Sequence, residues 1–501
     1  MPEKTVRRFL RAEKGLQMAV AVGLGALFLF GFASLVPVHA IHGDEVYYVG
    51  RAMQNLGFLE GNFPYKQVTF SLPNHPFSGE LFMGLGMLLA GQTFTPSSAV
   101  WGGMPESVRL SPDLMINQTY LTSGELDSAR DVSLLTAAVA VAVLVYVATK
   151  LSWVSGIFGF LFAVSAPGFI DISVTAMLDV YCAAFTVLSI IALYWYIRGS
   201  PLGLILSGVF LGLGFGSKLS WDPIIAGFVI LTCVLVKEET NRGRIKRLSQ
   251  NWVAGIISFA VTSPVVVLRF PSEIRDSFGP SVGRFATTNS SSGQSLFSTS
   301  GISGFIQPPI LIVYALLAAS AMVLSLHLWY EKSRGPGETS TLNRMRSFLA
   351  FMKDNPESFF LFVVLAFCTL DLLLGPLEYE FGRNFQRLGI YMALASAVSL
   401  AYLLRNIKWR RVGPLVTILC FVSVLLVEGV FLESLGSQLA DGTFTYAYEI
   451  VVTPFLAPEA GALLVLSGAF IGLVFIGIFG VSVMNVFASP KQPYRASEAP
   501  A

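Results

Sequence analysis

Apolar runs of roughly 20 residues alternate with short polar segments along the chain. As a helix, each run is long enough to cross about 30 Å of hydrocarbon. By length and apolarity they predict about twelve membrane-spanning helices. These lie at 16–37, 132–150, 153–171, 174–197, 202–217, 220–236, 252–270, 303–329, 358–376, 388–404, 413–435 and 460–487. The run at 81–91 is too short and Gly-rich to cross, so it is expected to lie at the interface or re-enter. From Asp44 onward, Val46, Val49, Met53 and Leu56 are spaced for one helical face. Pro73-Asn74-His75-Pro76 then predicts a turn, and 78–91 a second interfacial helix. The pattern predicts an all-α polytopic membrane protein.

Composition agrees with that class. Hydrophobic residues make up 54% of the chain and charged residues 13%, with mean hydropathy +0.66, against about 25% charged in a soluble domain. The net charge of +2 gives no sign of a nucleic-acid partner. Position matters more than total, because Lys and Arg accumulate in the cytoplasmic loops of membrane proteins. Lys4 to Lys14, Lys237 to Arg247, Lys332 to Lys353 and Arg405 to Arg411 form basic clusters. Counted through the predicted spans, all fall on one face. The expected organisation is a cytoplasmic N-terminus at 1–15 and a membrane core at 16–400, whose first outer loop spans 38–131. C-terminal helices at 401–487 and a cytoplasmic tail at 488–501 complete it. Val38-His39-Ala40 imitates a signal-peptide cleavage site, but the preceding run is longer than the usual 7–15 or so residues, and a retained span is expected. Cys182, Cys233, Cys368 and Cys420 lie inside spans and read as small apolar fillers. The expected location is the cell membrane, multi-pass.

Ionisable groups bordering a bilayer are costly and commonly functional. Asp44 and Glu45 follow the outer end of the first span, and Asp171 and Asp179 flank the next short outer turn. Lys218 and Asp222 share another, Arg269 ends a span, and Glu378, Glu380, Arg383 and Arg387 occupy a further one. Each also has a structural reading. Asp44-Glu45 suits a helix cap, Lys218 an interfacial anchor, and Arg383 with Arg387 a pair for Glu380. His75 before Pro76 suits a turn. No His/Cys/Asp cluster has metal-ligand spacing, no Gly-rich phosphate loop or Ser-His-Asp triad occurs, and Glu125-Leu126-Asp127 reads as an ordinary acidic loop pair. The convergence on one face predicts a site.

Five motifs in order carry a resemblance. They are Gly43-Asp44-Glu45-Val46-Tyr47-Tyr48, Asn74-His75-Pro76-Phe77-Ser78-Gly79-Glu80, Ala176-Met177-Leu178-Asp179-Val180, Gly212-Leu213-Gly214-Phe215-Gly216-Ser217-Lys218 and Arg383-Asn384-Phe385-Gln386-Arg387-Leu388-Gly389-Ile390-Tyr391. Over residues 1–400 the chain resembles the dolichyl-phosphate-mannose–protein O-mannosyltransferases, a branch of the polyprenyl-phosphate-sugar glycosyltransferases of the C fold. It departs from that pattern at Phe77, where a Pro is usual, and at Glu80, where a Lys is usual. Val174 and Thr175 stand where a basic residue commonly precedes the Leu-Asp motif. The loop at 271–302 is too short for the extra domain of eukaryotic members, and the Trp-Trp-Asp motif of oligosaccharyltransferases is absent.

The resemblance implies a single inverting transfer of one sugar, mannose by analogy, from a polyprenyl phosphate to an acceptor hydroxyl. It assigns Asp44 as base, with Glu45 beside it in the catalytic pair, and Lys218 and Arg387, with Arg383 behind, as donor-phosphate ligands. His75, Asp179 and Tyr391 complete the substrate pocket. No metal or cofactor is expected, because side-chain cations suffice for a monophosphate leaving group. The implied partners are a lipid-linked donor and a protein or glycan acceptor. Glu45→Gln is expected to lose far less than Asp44→Asn, the two side chains pointing about 100° apart. A transferase acting on a lipid or cell-wall glycan, a polytopic transporter and a silent scaffold subunit are the alternatives. Transporters often carry repeated halves and midplane charges, and neither is visible here.

Overall fold

The computed structural model describes residues 3–38, 43–61, 78–95, 123–164, 166–218, 220–263, 308–332, 341–374, 381–406, 444–446 and 450–452. The predicted spans 413–435 and 460–487, His75, Arg269, Glu378 and Glu380 lie outside them. The described residues are helical apart from a short antiparallel hairpin, β1 (Phe444–Tyr446) on β2 (Ile450–Val452). Five described helices are long and apolar enough to cross a membrane, seven if each of two bent pairs counts as one span. The chain is thus a multi-pass helical membrane protein.

Its helices in chain order are α1 (Glu3–Ala33), α2 (Gly43–Leu59), α3 (Ser78–Leu89), α4 (Ser123–Leu151), α5 (Trp153–Val164), α6 (Pro167–Val174) and α7 (Leu178–Ile197). There follow α8 (Pro201–Ser217), α9 (Trp221–Lys237), α10 (Asn241–Thr262), α11 (Pro308–Lys332), α12 (Thr341–Asp354), α13 (Pro356–Leu374) and α14 (Phe381–Asn406). The most hydrophobic 18-residue stretches of α7 and α14 are each 94% buried, so these two helices form the centre of the bundle.

The single span expected at 153–171 is a bent pair, α5 and α6, meeting at 73°. Pro167 is the physical reason. Its ring removes a backbone donor and turns the preceding residue away from helical geometry, and Ala166 is extended. A second difference is α12, which sequence reading leaves as a basic loop. It forms a helix set at 108° to α13, with Pro356 again at the break.

Local chemistry ends α7 at the pole opposite Asp179. Gly199, at φ +104°, closes α7 in a left-handed conformation. Gly199 N–H reaches Tyr196 O and Ser200 N–H reaches Trp195 O, at 2.9 Å each, and Pro201 then starts α8. α8 and α10 cross closely. A Cβ on Gly212 would lie 2.2 Å from Gly255 O, and one on Gly208 would lie 2.2 Å from Asn251 O. Small residues allow that approach where no hydrophobic effect drives association within lipid. Asn251 Nδ2 donates to Leu204 O (2.9 Å) and Ser258 Oγ to Val209 O (2.9 Å).

The helix expected from Asp44 is present as α2, and Val49, Met53 and Leu56 are buried as the periodicity predicts. Burial goes further than one face, however: Tyr47, Tyr48, Arg51, Ala52 and Gln54 are also covered. α3 packs so closely that a Cβ on Gly84 would lie 2.6 Å from Ala52 O.

Described members of three of the basic clusters meet at one end of the bundle. There Lys353 reaches Glu239 (3.5 Å), Lys332 reaches Asp354 (3.3 Å) and Arg247 reaches Glu238 (3.6 Å). Arg405 pairs with Glu357 at the same end.

Candidate functional site

At the opposite end of the bundle, two turns and the start of α14 deliver charged side chains to one buried spot. The α6–α7 turn is extended at Thr175 and Met177, which places Asp179 in the first turn of α7. A carboxylate there is favoured by the helix dipole. Lys218 is the extended C-cap of α8, and its N–H still bonds Gly214 O. Ser220 is extended in turn, and α9 begins with Asp222 in its first turn. Lys218 and Asp222 thus flank one short connection.

The cluster is a chain of alternating charge. Lys218 Nζ donates to Asp179 Oδ1 at 2.9 Å, and Arg387 Nη1 donates to the same oxygen at 2.6 Å. Arg387 Nε and Nη2 grip Asp222 at 2.7 and 3.3 Å, and Tyr391 Oη donates to Asp222 Oδ2 at 2.8 Å. Lys218, Asp179, Asp222, Arg387 and Tyr391 are all buried. Among the described residues two cations face two carboxylates, which is how buried charge is tolerated at all, since each ion alone would cost several kcal/mol of desolvation. Gln386, one residue before Arg387, donates to Asp171 Oδ2 at 2.7 Å. Asp371 of α13 is a further buried carboxylate.

Glu45 belongs to a neighbouring knot. Arg130 holds its carboxylate through two hydrogen bonds, Nε to Oε1 at 2.9 Å and Nη2 to Oε2 at 2.8 Å. Arg130 Nη1 also donates to Val36 O (2.8 Å), and Ala176 N–H donates to Glu45 Oε1 (2.6 Å). The knot ties the end of α1, the start of α2, α4 and the α6–α7 turn together. Ala176 is three residues before Asp179, so Asp44 and the charged cluster are referenced to one turn. Asp44 itself is part-exposed in the first turn of α2, while Glu45 is fully buried.

Of the residues expected from the sequence, the structure gathers Asp179, Lys218, Arg387 and Tyr391 into one cluster. Glu45 is taken up by Arg130, and Arg383 stands in the first turn of α14, one turn before Arg387. Sequence reading does not single out Arg130, Arg51 or Asp371, and it gives Asp222 and the motif residue Gln386 no role. Arg130 looks like an ordinary charge at the start of a span, and its partner lies 85 positions away. Among the described residues, no group of three or more His, Cys, Asp and Glu side chains comes together as a metal site would require.

Arg51 and Glu80 form a second buried pair between α2 and α3. Arg51 Nε lies 3.4 Å from Glu80 Oε1, and Arg51 Nη1 donates to Tyr47 Oη at 2.7 Å. Burial pushes the Glu80 carboxyl up to about 7, with Arg51 opposing. The unfolded chain releases this proton near the usual 4.5, whereas the folded protein keeps it until about 7. Between those values the folded state binds more protons, so stability falls as pH rises. Thermal scans of the detergent-purified protein should show an apparent Tm that declines from about pH 5 to about pH 8. Glu80→Gln, which mimics the protonated form, should flatten that decline and exceed the wild type at the alkaline end. Parallel curves for the two proteins would show that Glu80 does not titrate in this range.

Comparison with known proteins bears on the same region. Residues 115–268 match the family model described as dolichyl-phosphate-mannose-protein mannosyltransferase, so the motif resemblance is met there over less than half of the chain. None of the curated proteins compared with the chain matches it. Two solved structures are similar. Both are ArnT from Cupriavidus metallidurans, one bound to undecaprenyl phosphate and one in the apo state. They show 15% and 14% identity and TM-scores of 0.49 and 0.47, each covering 92% of this chain and 77% of that one.

Proposed function

We propose that the chain is a membrane glycosyltransferase of the C fold that moves one sugar from a polyprenyl phosphate to an acceptor hydroxyl. The observation that carries this is the buried cluster of Lys218, Asp179, Arg387 and Asp222, which draws on the ends of α8 and α9, two helices that also line an apolar groove. The groove, a cavity of about 510 Å³, lies between α8, α9 and α10 and is lined by Phe215, Phe228, Leu231, Trp252, Ile256 and Phe259 among others. Phe215 is one helical turn below Lys218, so a lipid tail lying there would bring its phosphate to the cations. The family match over 115–268 includes Asp179, Lys218, Asp222 and most of this groove.

The chemistry balances with the residues at hand. The acceptor oxygen attacks the anomeric carbon and its proton passes to the Asp44 carboxylate. The bond from that carbon to the phosphate oxygen breaks, and the electron pair leaves on the phosphate. Base assistance contributes about 10²–10⁴-fold, and preorganised charge at the leaving group is commonly the larger contribution. Arg387 offers a planar fork and Lys218 a point charge. In this structure Asp179 balances both cations, so the donor phosphate competes with it for Lys218 and Arg387. His75 and Arg383 remain proposed members of the pocket. The acceptor is proposed to be a protein Ser/Thr hydroxyl and the sugar mannose, with the reaction on the extracytoplasmic side of the cell membrane. A lipid or cell-wall glycan is the alternative acceptor.

Membranes containing the protein, supplied with radiolabelled polyprenyl-phosphate mannose, should move label into a protein or glycan fraction, and the fraction identifies the acceptor. Lys218→Ala should lower transfer at limiting donor by about 10- to 100-fold, the cost of one charge-assisted contact. Transfer absent from the wild type, or unchanged in Lys218→Ala, would overturn the proposal.

A further inference from the structure

We infer that Asp222 is a positioning residue for Arg387, with Tyr391 as its own anchor, and that together they set the donor-phosphate ligand in place. This rests on the proposed role of Arg387. Two described carboxylates hold Arg387 differently. Asp179 touches it through one oxygen, which it shares with Lys218. Asp222 takes the Nε and Nη2 edge with both oxygens, and its Oδ2 also accepts from Tyr391 Oη. A two-point grip along one edge fixes the plane of a guanidinium as well as its position, and that plane decides where a phosphate can meet the fork.

The anchor is built on rigid parts. Arg387 and Tyr391 are four residues apart on α14 and therefore share a face. The Tyr391 ring packs edge-on against Phe367 of α13, with centroids 4.9 Å apart. Asp222 sits in the first turn of α9, where the helix dipole favours its negative charge. Through Asp222, α9 thus grips two residues of the central helix. A residue that only filled space here would not need a bidentate carboxylate backed by a phenol.

The test uses purified full-length protein, farnesyl phosphate as binding probe and the labelled-donor assay for kcat and KM. Tyr391→Phe removes one hydrogen bond and should weaken farnesyl phosphate binding by about 3- to 10-fold. Asp222→Asn should weaken it by about 10- to 100-fold, with donor KM rising in step. Because Asp222 acts through Arg387, neither change should weaken binding further in an Arg387→Ala or Arg387→Lys background. If Asp222→Asn fails to give a monodisperse protein, the Tyr391→Phe cycle with Arg387→Lys decides alone. Losses that add in full to those of the Arg387 variants would overturn the inference and leave the functional proposal standing. A wild-type protein that binds no farnesyl phosphate would overturn both.

Discussion

Asp44→Asn should fold, insert and bind donor normally, yet lose sugar transfer by about 10²-fold or more. Asp44 is the second residue of α2, so Asn keeps its shape and loses only the charge that favours the helix N-terminus, about 0.3–1 kcal/mol. The substituted amide has the same shape but cannot take up the proton of an acceptor hydroxyl. The structure gives this substitution a favourable setting, because Asp44 is part-exposed while the buried charge next to it is carried by Glu45. Purified variant and wild type, compared at saturating donor, give the measurement. A fully active Asp44→Asn protein would leave Asp44 as a first-turn acid of α2 and remove it from the mechanism.

Glu45→Gln should damage the fold itself. From the sequence the substitution is a mild control, since a side chain one position from the base points elsewhere. The structure shows where it points. Glu45 is fully buried and carries both hydrogen bonds of a bidentate pair with Arg130, as well as the Ala176 N–H. A glutamine turns its NH₂ toward a guanidinium that is itself all donor, and it removes the bidentate counter-ion of the buried Arg130 charge. Breaking a buried pair from one side costs about 3–5 kcal/mol, a large share of a typical net stability of about 5–15 kcal/mol. The expected result is a clear fall in apparent Tm and in the yield of monodisperse protein. Replacing both partners, as in Glu45→Leu with Arg130→Met, should recover much of the loss, because matched apolar substitutes often equal a buried ion pair. A Glu45→Gln protein as stable as the wild type would show that the pair contributes little.

The outcomes for neighbouring residues separate two kinds of information. The sequence alone determines that the chain crosses a membrane repeatedly, because a run of about 20 apolar residues has few other uses. It places α2 and α3 in the first loop from the spacing of Val49, Met53 and Leu56 and from the short Gly-rich run at 81–91. It also nominates Asp179, Lys218 and Arg387, since charge at a span end is rare enough to be noticed, whereas Tyr391 comes from the motif resemblance alone. Helix periodicity and hydropathy are local properties, and a local reading recovers them. α12 escapes that reading because an amphipathic helix with basic residues has the composition of a loop. Which charge meets which is not a local property. Arg130 and Glu45 are 85 positions apart, Asp222 and Arg387 165, and Asp179 and Arg387 208. Every pairing of acid with base looks equally plausible in a list of residues. Only the packing of α4, α7, α9 and α14 decides that Arg130 takes Glu45 while Asp179 and Asp222 divide Arg387 between them. The physical reason is that a buried charge must find its counter-ion among whatever side chains the helix packing brings within about 3 Å.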